Sequence, residues 1–457
     1  MREGSLEAPI RHPLGWTDPE FTDPEKIDAE LRRVFDICHT CRRCFNLCDS
    51  FPRLFDLIDN SKTGELESVA SPDFKPVVDA CTLCDMCFMT KCPYVPPHEF
   101  NVDFPHLMLR YRVAEFNRGN VDFAERQLTK TDRNAKLASP IAPLANWATS
   151  RGNKFTRVAM EKLSGIDRDA ELPKYHRKTF LKRAKSEAPP VNREAPAFGR
   201  KAVLYATCFS NYNSPQIGMA TLAVLAKNGV EAEVCYPECC GMPQLEQGDI
   251  ASVADRAKTI SRELGAFIEK GYDVIALVPS CALMLKFEWP LIVPGDAEIK
   301  RLSDATYDVS EYVMDIAGKE GLAPGLNALD RGVTVHMACH ARAQNMGQKA
   351  AEMLRLIPGT PVSVIERCSG HGGSWGVLKE NFETAIKIGL PVARQAAKLE
   401  KEKQNGPGPY VASECPLAGA HIVQGMERLD AAPPDRAAPH PIELFAKAYG
   451  LEIANEG

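Results

Sequence analysis

An α+β chain of several domains is what this sequence predicts: a helical N-terminal part, then two tandem α/β lobes related by a duplication with a pseudo-twofold axis. Three observations lead there. Helical periodicity up to about residue 197 is interrupted by two dense cysteine runs. Beyond a proline-marked linker, short apolar segments alternate with long amphipathic ones, the rhythm of an α/β layer. The cysteine landmarks of that second part occur twice. At 457 residues the chain has room for several domains, and 44 % hydrophobic with 25 % charged residues is ordinary globular composition.

Residues 1–30 are polar and rich in Pro and Asp, and read as an extended arm. From Lys26 to Ile37 the pattern is helical, with Ile27, Leu31, Val34 and Phe35 on one face, and it runs directly into Cys38. Residues 31–110 hold both cysteine runs between helices. Residues 111–197 continue as a helical connector with loops at Pro140 and Pro143, closed by a linker at Pro189, Pro190 and Pro196. Within it Lys174, Arg177, Lys178, Lys182, Arg183 and Lys185 recur at helical spacing. Such a run reads as a solvated helix face, with docking on an acidic partner or anionic lipid as the alternative.

The first lobe, 198–325, opens with the strand KAVLYAT at 201–207. A helix from Pro215 to Asn228 follows, closed by Gly229, and then a strand from Glu231 to Tyr236. Val253, Ala257, Ile260, Leu264 and Phe267 line one face of a long helix ending at Gly271, and VIALVP at 274–279 reads as a fully buried strand. The second lobe, 326–457, repeats the landmarks. Cys208, Cys239-Cys240-Gly241, Cys281 and VSEY at 309–312 are matched by Cys339, Cys368-Ser369-Gly370, Cys415 and PIEL at 441–444, with offsets of 131, 129, 134 and 132 residues. Only two copies are present, so this is a repeat of domain size and not a solenoid.

Eight of the sixteen cysteines form Cys38-x2-Cys41-x2-Cys44-x3-Cys48 and Cys81-x2-Cys84-x2-Cys87-x4-Cys92-Pro93. Three thiolates at three-residue steps can be placed by one turn of backbone on three corners of an iron–sulfur cube, and in two-cluster ferredoxins the fourth cysteine of each run serves the other cluster. That grammar assigns cluster 1 to Cys38, Cys41, Cys44 and Cys92, and cluster 2 to Cys81, Cys84, Cys87 and Cys48, both [4Fe–4S]. Residues 31–110 therefore read as a helical, ferredoxin-like two-cluster domain. A zinc site is overfilled by such a run, since structural zinc takes four ligands, usually as two separated pairs. A disulfide scaffold belongs to small secreted chains, and the start MREGSLEAPIRHPLGW has no apolar signal core. A reducing cytoplasm is expected, with peripheral attachment at the inner face of the membrane as a further expectation.

Each remaining cysteine of the repeat sits where a strand ends and turns towards a helix, the position at which open α/β sheets bind ligands. Cys208, Cys239, Cys240 and Cys281 are therefore candidate metal ligands for a third cluster, whereas Cys235, inside a strand and outside the repeat, reads as core. In the second lobe Ser369 replaces one thiol. Cys339, Cys368 and Cys415 could hold an open cluster completed by His340 or His371, or act as redox thiols, or be vestigial; with His371 they are the candidate catalytic residues. His98 and His106 read as structural hydrogen bonders, and the glycines of HGGSWG as a ligand cradle or a tight turn. A formal charge of −5 argues against a nucleic-acid binder, and the longest near-apolar stretch, Val274 to Leu285, is too short to span a bilayer.

The motifs CTLCDMCFMTKCPYVPPHEFNVDFPHLMLR at 81–110, YPECCGMP at 236–243 and ERCSGHGGSWG at 366–376 together resemble the CCG-domain iron–sulfur oxidoreductases. In that family a two-cluster ferredoxin module precedes two CCG domains, as in the C subunit of anaerobic glycerol-3-phosphate dehydrogenase and the D subunit of heterodisulfide reductase. The resemblance implies an electron-transfer component of an oxidoreductase complex. It would take electrons from a flavoprotein dehydrogenase whose FAD lies on the partner, and pass them to a quinone, a membrane partner or another carrier. Two alternatives accompany it: a catalytic CCG-type reductase of a disulfide or small oxidant at an open site, and a redox partner of a peroxide-reducing non-haem iron protein. Met284 and Ala418 stand where the heterodisulfide reductases end their lobes in Cys-x-x-Cys, which argues against their noncubane cluster here.

Overall fold

The computed structural model describes residues 9–401 and 408–453. The first long helix, Pro24–Cys41, starts ahead of Lys26 because the Asp23 carboxylate accepts from the Glu25 and Lys26 amides and Pro24 has its φ already set for the first turn. It thus takes in residues that read as the end of an extended arm. Ile27, Leu31, Val34 and Phe35 are its buried face. Phe35 packs edge-on to Phe74 with ring centroids 5.2 Å apart, and Phe51 of the helix Ser50–Asp59 lies 4.6 Å from Phe104 of the helix Phe104–Asn117. This aromatic core continues without a break into Ile260, Leu264 and Leu302 of the first lobe. The arm is tied down by backbone: Ile10 N donates to Pro96 O at 3.1 Å, and Leu14 N to Leu291 O at 2.8 Å.

The connector departs from its sequence reading. Only Phe180–Glu187 of the basic stretch is helical, and Arg183 is buried and paired with Glu187 at 3.0 Å. Lys174 to Lys178 run without helical structure. Their backbone is used elsewhere, with His176 N donating to Tyr212 O at 3.0 Å and Asn213 Nδ2 to Lys174 O at 2.9 Å, and Thr179 then caps the late helix start. The run is therefore not one solvated helix face.

Two parallel sheets follow. The first contains β1 (Lys201–Tyr205), β2 (Glu231–Cys235), β3 (Asp273–Ala276) and β4 (Thr306–Asp308) in the order β2-β1-β3-β4. In register, Leu204 faces Val234 on one side and Ile275 on the other. The second contains β5 (Val333–His336), β6 (Val362–Ile365) and β7 (Tyr410–Ser413) in the order β6-β5-β7, with Val335 between Val364 and Ala412. The sequence expectation of a strand running to Pro279 is shortened: β3 stops at Ala276, and Pro279 begins the helix Pro279–Leu283 as its first residue. In place of a fourth strand beside β7, the chain returns through Pro439, whose carbonyl accepts from Ser413 N at 3.3 Å. The matching VSEY and PIEL motifs both open helices with a capping box, Asp308 with Glu311 and His440 with Glu443. Leu204 and Ile275 share a core with Val335 and Ala412, so the two sheets pack as one body. No helix among the described residues is long and apolar enough to cross a membrane.

One buried ionic cluster joins three parts of the chain. The Arg11 guanidinium meets Asp85 at 2.8 Å, Asp103 at 2.8 Å and Glu288 at 3.0 Å, while His106 bridges Glu288 at 3.1 Å and Asp103 at 3.3 Å. Arg11 also lies over the Phe88 ring, 4.6 Å from its centroid. Burial opposes the ionised form of Asp103, yet Arg11 and His106 outweigh it and hold the carboxyl at about 2. Burial and Arg11 likewise oppose protonation of His106, but Asp103 and Glu288 raise its pKa above the usual histidine value. The His106 contribution is complete below the unfolded value of about 6.5 and fades as pH rises through the higher folded one; that of Asp103 is complete above about 4 and fades as pH falls towards 2.

Arg11→Ala leaves three carboxylates facing one another and should cost about 3–5 kcal/mol, read as a fall in the urea midpoint by circular dichroism. His106→Gln should flatten the decline of that midpoint on the alkaline side and, by removing one of the two cations that hold Asp103 down, also weaken part of the acid-side dependence.

Candidate iron–sulfur sites

The first cysteine run is built by the end of a helix. Cys38 and Cys41 lie in the last turn of Pro24–Cys41, and Arg42, in the left-handed region at φ 51°, bends the chain back through Cys44 and Cys48. In the second run two residues between cysteines, Leu83 at φ 47° and Asp85 at φ 61°, are left-handed and coil the loop tightly. Such conformations are costly for non-glycine residues, and the Asp85 bond to Arg11 helps hold this one. Cys87–Lys91 then forms a π-helical turn closed by Cys92 N donating to Cys87 O at 2.8 Å.

The structure brings Cys92 to the first run and Cys48 to the second. Burial, and after it the neighbouring Cys92, Cys44 and Cys41, push the Cys38 thiol well above its usual pKa. Burial, then Cys84 and Cys81, do the same to Cys48. Cys87 is flanked by Cys84, Cys81, Cys48 and Cys44, so the two groups adjoin. Backbone N–H groups point at the sulfurs: Ser50 and Phe51 at Cys48, Leu83 at Cys81, Met86 at Cys84, and Tyr94 and Val95 at Cys92. Among the described residues no three Cys, His, Asp or Glu side chains converge as the ligands of a single metal ion. Eight soft thiols in two groups of four, with N–H donors aimed at them, are a donor set that fits two multi-iron clusters.

In the first lobe three strand ends deliver four thiols to one place. Cys208 Sγ lies 3.6 Å from Cys239 Sγ, and Cys240 Sγ lies 3.3 Å from Cys281 Sγ. Tyr205 on β1 neighbours all four, and its hydroxyl donates to Glu238 O at 2.6 Å. The CCG loop is held from outside the lobe by Asp132 of the connector, whose carboxylate accepts from Cys239 N at 2.9 Å, from the Tyr236 hydroxyl and from Arg256 at 3.2 Å. Nothing in the local sequence marks Asp132, because its partners are 104 to 124 residues away. Cys235 stands apart on β2, half-buried, with its thiol pushed to about 11 by burial and then by Glu263.

In the second lobe Cys339 is flanked by Cys84, Cys368 and Cys415, and Cys415 by Glu414 and Cys281. Its three thiols thus face both the second cysteine run and the first lobe. Gly370 N donates to Cys368 Sγ at 3.4 Å. His340 is not directed at the thiols: its Nε2 lies 3.3 Å from Leu83 O. His371 lies 6.5 Å from His421, ring centre to ring centre, and burial, then His421 and His340, push it to about 3, so it is neutral at pH 7. His98 accepts from Phe100 N at 3.0 Å and His106 belongs to the Arg11 cluster, both structural roles.

The HGGSWG loop closes over the second run. A Cβ at Gly372 would come within 2.9 Å of Thr82 Cγ2 and one at Gly373 within 2.5 Å of the Glu246 carboxylate, so these glycines permit close approach. Beside them lies a cleft of about 430 Å³ lined by Cys81, Thr82, Tyr111, Arg112, Glu246 and Trp375. Burial, opposed by Arg112, lifts the Glu246 carboxyl to about 7.

Residues 202–286, from β1 past Cys281, match the family described as a cysteine-rich domain, CCG. The C subunit of anaerobic glycerol-3-phosphate dehydrogenase from Escherichia coli (strain K12) is 30 % identical over 271 residues, 59 % of this chain and 66 % of its own length. Lactate utilization protein A of Geobacillus kaustophilus is 30 % identical over 188 residues, 39 % of this chain and 74 % of its own. The B subunit of fumarate reductase (CoM/CoB) from Methanothermobacter marburgensis is 28 % identical over 236 residues, 50 % of this chain and 43 % of its own. The match therefore spans just under two thirds of the Escherichia coli protein and less than half of the Methanothermobacter one.

The two repeat glycines give a test of the loops. Gly241 and Gly370 are both left-handed, at φ 89° and 79°, but a Cβ at Gly370 would lie 2.1 Å from Ala385 O, against 3.2 Å from a flexible Val253 methyl at Gly241. Gly241→Ala should cost about 1–2 kcal/mol for the backbone alone, and Gly370→Ala clearly more, read as the difference between their thermal unfolding midpoints.

Proposed function

The chain belongs to the cysteine-rich CCG family of iron–sulfur oxidoreductases, and from that membership we propose that it is the electron-relaying subunit of a dehydrogenase or reductase complex. It would accept electrons from a flavoprotein resembling glycerol-3-phosphate dehydrogenase and deliver them to a quinone or another carrier. The observation that carries this reading is the exchange of fourth cysteines, Cys92 beside Cys38, Cys41 and Cys44, and Cys48 beside Cys81 and Cys84. We assign a [4Fe–4S] cluster to each group and a third cluster to Cys208, Cys239, Cys240 and Cys281. Bound there, such clusters take up and release single electrons at potentials set by their surroundings.

The chain's own residues supply those surroundings. Phe35, Phe51, Phe74 and Phe104 keep water from the module's interior, and the N–H groups of Leu83, Met86, Tyr94 and Val95 stabilise negative charge on the sulfurs they face. Neighbouring groups lie within electrostatic reach of one another at each junction: Cys44 with Cys87, Cys84 with Cys368, Cys415 with Cys281. The common strand order of the two sheets supports two duplicated lobes, 198–325 and 326–457, behind a two-cluster module at 31–110 and a connector at 111–197. A second reading, a reductase acting at Cys339, Cys368 and Cys415 with His371 nearby, is favoured by one observation: Cys368 is the one exposed cysteine among the described residues.

Anaerobically purified protein should be brown, bleach with dithionite, and carry about eight iron and eight sulfide from the two N-terminal clusters, with about four more of each from the first lobe. Cys48→Ser and Cys92→Ser should each perturb a different reduced-state paramagnetic signal. Colourless protein holding zinc would overturn the proposal. Catalytic turnover of a disulfide lost in Cys368→Ser, with both N-terminal signals intact, would favour the second reading.

A further inference from the structure

We propose that the outer face of the connector, residues 131–164, is a docking surface for an anionic lipid bilayer. Leu137, Ile141, Leu144 and Trp147 recur at the spacing that normally marks the buried side of a helix, yet they are 68, 51, 59 and 60 % exposed. The next helix, Lys154–Ser164, is inverted outright. It buries Arg157 and Glu161 and exposes Phe155 and Leu163, at 86 and 84 %. The buried charges are fully engaged, Arg157 with the carbonyls of Thr149, Asp167, Arg168 and Ala170, and Glu161 with Arg168 and Lys379. Among the described residues, seven of the thirteen large exposed apolar side chains fall between Phe123 and Leu163, a concentration in one stretch of helices rather than a scatter along the chain.

Charge decides what covers it. Eight basic and three acidic residues lie between Phe123 and Leu163, in a chain whose formal charge is −5. Lys130, Arg133, Lys136, Lys154 and Lys162 are exposed and make no carboxylate pair among the described residues. Two of the acidic residues are turned away from the surface, Asp132 towards Cys239 and Arg256, and Glu161 into its ion pairs. Lysine is depleted from the core of protein interfaces, whereas Trp, Leu and Phe interleaved with Lys and Arg are the composition of helices that lie in a membrane surface. Exposed lysines complement anionic headgroups, and the short helices would lie on the bilayer without spanning it. This surface does not depend on the electron relay.

The test uses the full chain, sedimented with vesicles of phosphatidylcholine alone or mixed with phosphatidylglycerol. Binding is expected to the mixed vesicles only, and should fall at about 0.5 M salt. The triple variant Leu144→Ser, Trp147→Ser, Leu163→Ser should reduce partitioning roughly tenfold or more, as should Lys136→Glu, Lys154→Glu, Lys162→Glu. All six positions are exposed, and dithionite bleaching of each variant reports separately on the iron–sulfur reading. No sedimentation with mixed vesicles, equal binding to both kinds, or lipid-free self-association abolished by the apolar variant would each overturn the proposal.

Discussion

One guanidinium ties the N-terminal arm, the second cysteine loop and the first lobe together. Arg11 reaches from the arm to Asp85 inside the second cysteine loop, to Asp103 at the cap of the helix Phe104–Asn117, and to Glu288 of the first lobe. Removing four charged groups from water is expensive, and the cluster is tolerable only because each carboxylate has a cation at hydrogen-bond distance. His106 makes up what one arginine cannot, so Asp103 and Glu288 are each shared between two cationic neighbours. With Asp85 fixed, the left-handed turns that carry Cys84 and Cys87 cannot relax independently of the lobe.

The α/β lobes solve a different problem, delivering sulfur to one edge. Parallel strands all release the chain at the same end, so β1, β2 and β3 place Cys208, Cys239, Cys240 and Cys281 together, and β5, β6 and β7 do the same for Cys339, Cys368 and Cys415. That edge faces the cysteine loops of the helical module. On the proposed reading the fold is a holder whose geometry brings electron carriers near one another, and chemistry specific to a substrate belongs to its partners.

Much of this was legible in the sequence where the signal is local. The face Ile27, Leu31, Val34, Phe35 and the helix closed before Gly229 follow from periodicity and backbone punctuation. The VSEY and PIEL correspondence has a local cause too, a capping box at each site. The basic stretch at 174–185 misled because periodicity cannot see that its backbone is claimed by Tyr212 and Asn213. Asp132 and Arg11 were invisible for the same reason, since both act through partners far along the chain. The inverted helix Lys154–Ser164 shows the converse: its pattern is ordinary, and only packing reveals that the wrong side faces inwards.

The two cysteine runs differ by a single residue, three between Cys44 and Cys48 but four between Cys87 and Cys92. The surplus is not looped out. It is wound into the wide turn Cys87–Lys91, where the closing bond spans five residues in place of four. An insertion absorbed this way keeps the closing hydrogen bond intact, because the wider turn takes up the extra residue within one revolution. The two runs therefore reach their last cysteines by different backbone routes, and shortening the second run by one residue would remove the residue on which the wide turn depends.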